Sequence, residues 1–299
     1  MVQYTFWINP DIEKIISLAK KYDLIIIEDC AQSLGTFVWE KLSWSFWDFS
    51  IFSFCRDKII SWVNWWILVI NNKKYFKKSE KIIENLKEVD LKNVIKDNLY
   101  NILWFLSLKL YDIFNIWKII IYISRKYSFI NEVVTKKQKK CDFKNLDYII
   151  PNSNSRLAIN DILDIDYNLK HKKTIWKYYI ENLKSPYFKL ILKNHINDFN
   201  FFRFPVLFKD ENIKNDFIKY LKNHKILTGN WWSWINIVPI WTDLKKALYK
   251  LDCKKAEKIS KNIVLLPIHK SIKIDEVIYI CNLINNYNYT DVSNKKDRK

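Results

Sequence analysis

Two glycines in 299 residues constrain this chain more than any other feature. An average chain of that length would carry about 21. Glycine tolerates positive φ without steric cost, so turns, helix ends and close backbone approaches must here be built almost without it. The same chain holds 14 tryptophans. Either the fold avoids glycine, or glycine positions are written as tryptophan, and the motifs that contain tryptophan decide between the two.

The remaining composition narrows the class. A chain that is 49% hydrophobic and 16% aromatic is not disordered, and its length suits one large or two ordinary domains with a real core. The net charge of +18 invites a nucleic-acid reading. Only five of the 50 cations are arginine, however, and base readers and phosphate forks lean on arginine. Lysine rises together with isoleucine and asparagine, all with A/T-rich codons, so genome composition accounts for the charge. No nucleic-acid partner is expected; a basic nucleic-acid or membrane-surface protein remains the outlying alternative. The cysteines Cys30, Cys55, Cys141, Cys253 and Cys281 are scattered, which argues against a disulfide framework or a metal knuckle and for a reducing cytoplasm. The opening MVQYTFWINPDIEK has no basic segment followed by an apolar core, so no signal peptide is expected.

The chain reads as α/β. Asn9-Pro10 looks like an N-cap with proline at the first helical position, and Ile12, Ile15, Ile16, Ala19 and Tyr22 recur at helical spacing, which predicts a helix over 10–22. Leu24-Ile25-Ile26-Ile27 reads as a buried parallel strand running into Glu28-Asp29. In open α/β sheets ligands bind beyond the carboxyl ends of strands, which singles out Asp29. Further strands are expected at 49–54 and 67–70, and a charged helix at 73–89. The apolar stretch 99–124 is interrupted by Lys109, Asp112 and Lys118, so no stable membrane span is expected; buried helices, or a helix lying in a membrane interface, fit it. A lysine-rich crossing over 131–148 leads to a second unit. Its elements are a long helix over 156–184, a strand at 204–208, a helix at 212–224, the segment Leu265-Leu266-Pro267 and a helix at 274–285. The tail 291–299 reads as loose.

Three segments carry chemistry: Glu28–Gly35 (EDCAQSLG), Phe49–Lys58 (FSIFSFCRDK) and Trp65–Ile70. An acid at a strand end, a serine-rich strand and a lysine a short loop later suggest a pyridoxal phosphate (PLP) site. That cofactor needs a lysine amine for its Schiff base, a carboxylate at its ring nitrogen and hydroxyl donors for its phosphate. Lys58 would supply the first, Asp29 the second and Ser53 part of the third. The alternatives are a surface lysine, a helix-capping acid and an inward strand serine.

At these residues the chain resembles the DegT/DnrJ/StrS-type PLP-dependent sugar aminotransferases, of the aspartate aminotransferase type I fold. The family pattern runs hTfG, ieDcAqslG, GdfsiFSF…K and GG before a strand; the corresponding residues are Tyr4-Thr5-Phe6-Trp7, Ile27–Gly35, Trp47–Lys58 and Trp65-Trp66. Asn154–Tyr179, Cys253–Glu257 and Leu266-Pro267-Ile268-His269 resemble later family segments. The resemblance implies an incomplete large domain plus a small C-terminal α/β domain. Residues 1–90 would be the C-terminal part of the cofactor-binding domain, 91–150 a helical insertion and crossing, 151–290 the small domain and 291–299 a loose tail. It implies transamination from an amino-acid donor, glutamate, to a nucleotide-linked keto-sugar in polysaccharide or lipopolysaccharide biosynthesis, by a homodimer. It assigns Gln32 to the cofactor's phenolic oxygen, and Asn64 and His269 to weaker substrate contacts; Arg203 could face a substrate phosphate. No metal site is implied. A related sugar dehydratase would carry histidine where Lys58 stands.

Two departures accompany the resemblance. Trp7, Trp39, Trp44, Trp47, Trp65, Trp66 and Trp241 fall where the family pattern has glycine. Adjacent indoles at 65 and 66 would crowd a backbone that approaches a cofactor. Many of these tryptophans are therefore expected to be UGA codons decoded as glycine by the organism; counted with the two glycines, all 14 would make the glycine content ordinary. The family also carries a segment ahead of hTfG with a phosphate loop at a helix N-terminus. A chain starting at Met1 is expected to lack that half of the phosphate site, which leaves an inactive or regulatory PLP-fold fragment as the alternative function.

Overall fold

Helix α1 (Ile12–Lys21) is amphipathic, burying Ile12 and Ala19. Its N-cap is Asp11, whose carboxylate accepts the Lys14 amide at 3.3 Å, not Asn9 as expected. The Asn9 side chain is committed elsewhere, donating to the Phe37 carbonyl at 3.3 Å. The computed structural model that shows this describes residues 1–4, 8–38, 40–55, 58–60, 65–110, 113, 116–131, 147–192, 203–229, 243, 245–246, 250 and 252–289. They divide into two units, Met1–Tyr167 and Asn168–Lys299.

The first unit is built on a four-stranded sheet. Strand β1 (Val2–Gln3) pairs in parallel with β2 (Ile27–Asp29). After a small antiparallel ribbon, β3 (Phe37–Val38) with β4 (Lys41–Leu42), comes β5 (Phe49–Ser53), parallel to β2, and then β6 (Trp66–Ile70), antiparallel to β5. The sheet order is β1-β2-β5-β6. Strand β2 starts later than the apolar run suggested: Leu24 and Ile25 are exposed, and only Ile26 of the first three is buried. The reason is that two of its amides are claimed elsewhere. The Leu24 amide is spent on Ala19 O at the end of α1, and the Ile26 amide on the Asp48 carboxylate at 2.9 Å, so the ladder opens at Ile27 opposite Phe49. Val2, Tyr4, Ile12, Ala19, Ile26, Cys30, Trp47, Phe52, Phe54 and Ile60 form the core.

The expected helix over 73–89 is a short turn followed by α2 (Phe76–Glu84). The apolar stretch forms α3 (Leu91–Lys109) and α4 (Ile116–Lys126), which pack on each other. Most of the lysine-rich crossing, 132–146, and the tail lie outside the described residues. The single long helix expected over 156–184 is two, α5 (Asn152–Leu163) and α6 (Ile165–Asn182), broken at Asp164.

In the second unit α6 lies beside an antiparallel sheet of β7 (Phe188–Leu190), β8 (Phe204–Phe208) and β9 (Ile263–Leu266), with β8 central. Helices α7 (Glu211–Asn223), α8 (Lys254–Asn262) and α9 (Ile274–Asn285) complete it. Trp176, Tyr179, Phe204 and Phe217 are wholly buried there, and all four residues of β9 are core.

Both glycines stand where a side chain would be strained or crowded. Gly35 has φ 78°, and a Cβ on Gly229 would lie 3.1 Å from Leu265 Cβ, across the bridge these residues make. Elsewhere the chain does without glycine. Asp23, Ser128 and Lys225 take positive φ just after α1, α4 and α7. In each case the following amide (Leu24, Phe129, Ile226) reaches back five residues to a helical carbonyl at 2.9 Å, the bond of a Schellman cap.

Candidate active site

Three of the sequence-selected residues come to the carboxyl edge of the first sheet. Parallel pairing sets Asp29 opposite Ile51, and the Cys30 amide donates to Ile51 O at 2.8 Å, so Ser53 lies at the same edge two residues further along β5. The Asp29 carboxylate is held from two sides: Oδ1 accepts the Ala31 amide at 3.1 Å and Oδ2 accepts Gln3 Nε2 at 2.9 Å. Ser53 is buried and donates to Cys55 Sγ at 3.2 Å. Lys58 follows in a turn closed by its own amide on Cys55 O at 2.9 Å. Buried Phe54 before the turn and buried Ile59 and Ile60 after it pin the backbone, while the Lys58 side chain stays half-exposed.

Gln32 is buried in the loop leaving β2. That loop folds back through the Ser33 amide on Cys30 O and the Thr36 amide on Ser33 O, with Gly35 supplying the positive φ. Asn64 lies outside the described residues. His269 belongs to the second unit, exposed after β9, where its Nδ1 accepts the Ser271 amide at 3.2 Å. The Arg203 carbonyl accepts the Trp176 indole N–H at 3.1 Å.

The sequence reading passed over what lies beneath Asp29. Successive strand residues point to opposite faces, so with Asp29 at the edge its neighbour Glu28 turns into the core, where it is fully buried. Tyr4 OH donates to Glu28 Oε1 at 2.6 Å, and Ser50 Oγ lies 2.8 Å from Oε2. Ser50 Oγ is also 2.8 Å from the Trp44 carbonyl, but a hydroxyl has one proton to give. If Glu28 is neutral, its proton goes to Ser50 and Ser50's goes to Trp44 O, and every group is satisfied. Burial accordingly raises the Glu28 carboxyl from 4.5 to about 7, against the lowering pull of the Tyr4 and Ser50 hydrogen bonds. Burial also raises the Tyr4 hydroxyl and pushes the Cys30 thiol up to about 12, so Cys30 is an inert packing thiol. The signal was legible: two consecutive acids at the end of a buried strand cannot both face solvent.

Two of the tryptophans at glycine positions stand out chemically. The indole N–H of Trp65 is buried without a hydrogen-bond partner among the described residues, and that of Trp47 is buried beside the Glu28–Tyr4 pair. Trp65 precedes β6 and its carbonyl accepts the Phe54 amide at 2.9 Å, which sets it at the edge that carries Ser53. Trp7 and Trp39 lie outside the described residues, as does Trp241.

The profile of the DegT/DnrJ/EryC1/StrS aminotransferase family matches residues 7–98 and 131–285. The chain belongs to this family. Among curated relatives, GDP-perosamine synthase of Escherichia coli O157:H7 is 38% identical over 66 residues, 22% of this chain and 18% of that protein. Among solved structures, Helicobacter pylori PseC, an aminotransferase of pseudoaminic acid biosynthesis, superposes with a TM-score of 0.63 at 16% identity, over 94% of this chain and 64% of PseC. An E. coli GDP-4-keto-6-deoxy-D-mannose-3-dehydratase with bound hydrated PLP does so with a TM-score of 0.57 at 14% identity, over 92% and 64%. The fold is thus that of the DegT-type PLP-dependent enzymes, and the chain spans less than two thirds of these relatives' length.

Proposed function

We propose that this chain carries the lysine, the ring-facing acid and part of the phosphate site of a PLP-dependent aminotransferase. Its substrates would be an amino-acid donor, glutamate, and a nucleotide-linked keto-sugar destined for polysaccharide or lipopolysaccharide. The observation that carries this reading is the gathering of Asp29, Ser53 and Lys58 at one carboxyl sheet edge, on two adjacent parallel strands and the turn that follows. The donor set fits the cofactor: an anchored carboxylate, a buried hydroxyl and an amine on a pinned turn. When bound, PLP supplies a ring that withdraws electrons from the substrate carbon.

The protein's part is to orient and to move protons. Asp29, fixed by Gln3 Nε2 and the Ala31 amide, would keep a proton on the ring nitrogen. Ser53 Oγ would donate to the phosphate and the Gln32 amide to the phenolic oxygen. Lys58 Nζ would tether the cofactor and then carry the proton between substrate carbon and cofactor carbon. Asn64 and His269 enter the proposal as substrate contacts. Residues 1–90 would form the cofactor-binding part and 151–290 the small domain, in a cytoplasmic homodimer. The similarity to GDP-perosamine synthase and PseC supports a sugar acceptor.

Adding PLP to the full-length gene product, with and without Lys58→Ala, tests the reading. A visible absorbance band that the variant loses, with amino transfer from glutamate, is the expected result. A colourless mixture overturns it; a band without transfer selects the regulatory alternative.

A further inference from the structure

The helix pair α3–α4 leaves large apolar side chains facing outward: Phe105 is 58% exposed and Ile119 55%, joined by Ile102, Trp104, Ile116 and Ile123. Its inward positions combine half-buried apolar residues such as Leu103, Ile120 and Ile121 with the buried serines Ser107 and Ser124, whose hydroxyls turn back on Leu103 O and Ile120 O. A helix in water puts its apolar stripe inward. Small polar residues between helices with bulky apolar ones outside are the arrangement of helices that meet lipid. A patch of this kind on a water-exposed protein marks an interaction surface.

Charge selects the occupant. Residues 98–131 hold the cations Lys109, Lys118, Arg125 and Lys126 against one acid, Asp112. All four cations are exposed. Three of them stand over aromatic rings: Lys109 Nζ is 5.6 Å from the Phe105 ring centre, Lys118 Nζ 5.6 Å from Trp117 and Lys126 Nζ 5.8 Å from Tyr122. Aromatic bodies with ammonium tips suit the boundary between acyl chains and headgroups. A second copy docked here about a two-fold axis would bring these like charges together; an anionic leaflet pairs them. No helix among the described residues is long and apolar enough to cross a membrane, so the contact is with its surface. The family profile matches the first turns of α3 and passes over residues 99–130, the rest of the pair. Asn131 Nδ2 donates to Asp97 of α3 at 2.8 Å, which closes the base of the pair, and Asn98 Nδ2 donates to Asn154 of α5 at 3.3 Å, which ties α3 to the rest of the unit.

We infer that α3–α4 seats this protein on an anionic bilayer surface, independently of the cofactor reading. The test is sedimentation of the full chain with vesicles of equal parts phosphatidylcholine and phosphatidylglycerol, against phosphatidylcholine alone. The expected result is binding to the anionic vesicles that salt weakens, that Lys118→Glu with Lys126→Glu weakens by roughly tenfold or more, and that Ile119→Asp with Ile123→Asp abolishes. These positions are exposed, and an unchanged circular dichroism spectrum verifies that the variants fold. Absence of vesicle binding overturns the inference, as does binding that both variants leave intact. So does a change of oligomeric state in the isoleucine variant without any vesicle binding, which makes a second copy the occupant.

Discussion

Under Asp29 the first sheet rests on a buried carboxyl ringed by hydroxyls, whereas the sheet of the second unit rests on Trp176, Tyr179, Phe204, Phe217 and the four residues of β9. Both regions bury a sheet face. The second does so with apolar and aromatic side chains, whose burial is favourable by itself, whereas the first adds a carboxyl to its apolar core. A carboxyl in the core costs free energy unless it is neutral or fully hydrogen-bonded, and Glu28 meets that condition by holding its proton. The second unit also buries a lysine, Lys214, but disarms it differently. Its ammonium donates to the Lys261 carbonyl and lies 3.8 Å from Glu211, while burial lowers its affinity for the proton. The comparison teaches that polar burial in the first unit serves the geometry of the strand end that carries Asp29. In the second unit it is incidental to an apolar core.

The contrast breaks most visibly at Lys58 and Phe217. Lys58→Ala should lower amino transfer by 10²–10⁴-fold or more. Its effect on stability should stay within about 0.5 kcal/mol, because the side chain is half-exposed. Phe217→Ala should do the reverse, costing about 3–5 kcal/mol in a denaturant titration. Its ring packs 4.9 Å from Phe208 and 5.1 Å from Tyr287.

Glu28 sharpens the comparison through pH. The folded chain keeps this proton up to about pH 7, while the unfolded chain gives it up near 4.5. Between those values the unfolded state binds fewer protons, so stability falls as pH rises and levels off above 7, by a total on the order of 3 kcal/mol. Glu28→Gln, whose amide can donate to Ser50 as the neutral acid does, should flatten that slope in thermal melts across the window. A slope unchanged by the substitution would show that Glu28 is ionised in the fold.

A small gain in stability is expected at the helix ends. Lys225→Gly relieves the positive φ of 61° after α7 and should stabilise by about 0.5–1 kcal/mol, read as a small rise in melting temperature. The buried indole at Trp65 gives the glycine-decoding expectation its own check. Mass spectrometry of native peptides over Ile51–Lys73 should read glycine at 62, 65 and 66; tryptophan there removes the expectation.

Much of this was legible along the chain because its signals are local. The strand Phe204–Phe208 and the helix Ile274–Asn285 form over the residues their patterns indicated, and the strand patterns at 27–29 and 49–53 sufficed to set Asp29 and Ser53 near the ends of neighbouring strands. Helix and strand boundaries slipped where a side chain far away in sequence claimed a backbone group. Asp48 took the Ile26 amide and moved the start of β2. The break at Asp164, closed by its own amide on Asn160 O, divided a helix that periodicity alone reads as continuous. Tertiary structure alone could decide which face each neighbour presents: that Glu28 and not Asp29 is swallowed by the core, and that Ser107 and Ser124 are buried while Phe105 and Ile119 stay exposed. The physical reason is that residue type and spacing fix what a segment prefers. Burial, proton placement and the choice between water, protein and lipid depend on partners that only folding brings within reach.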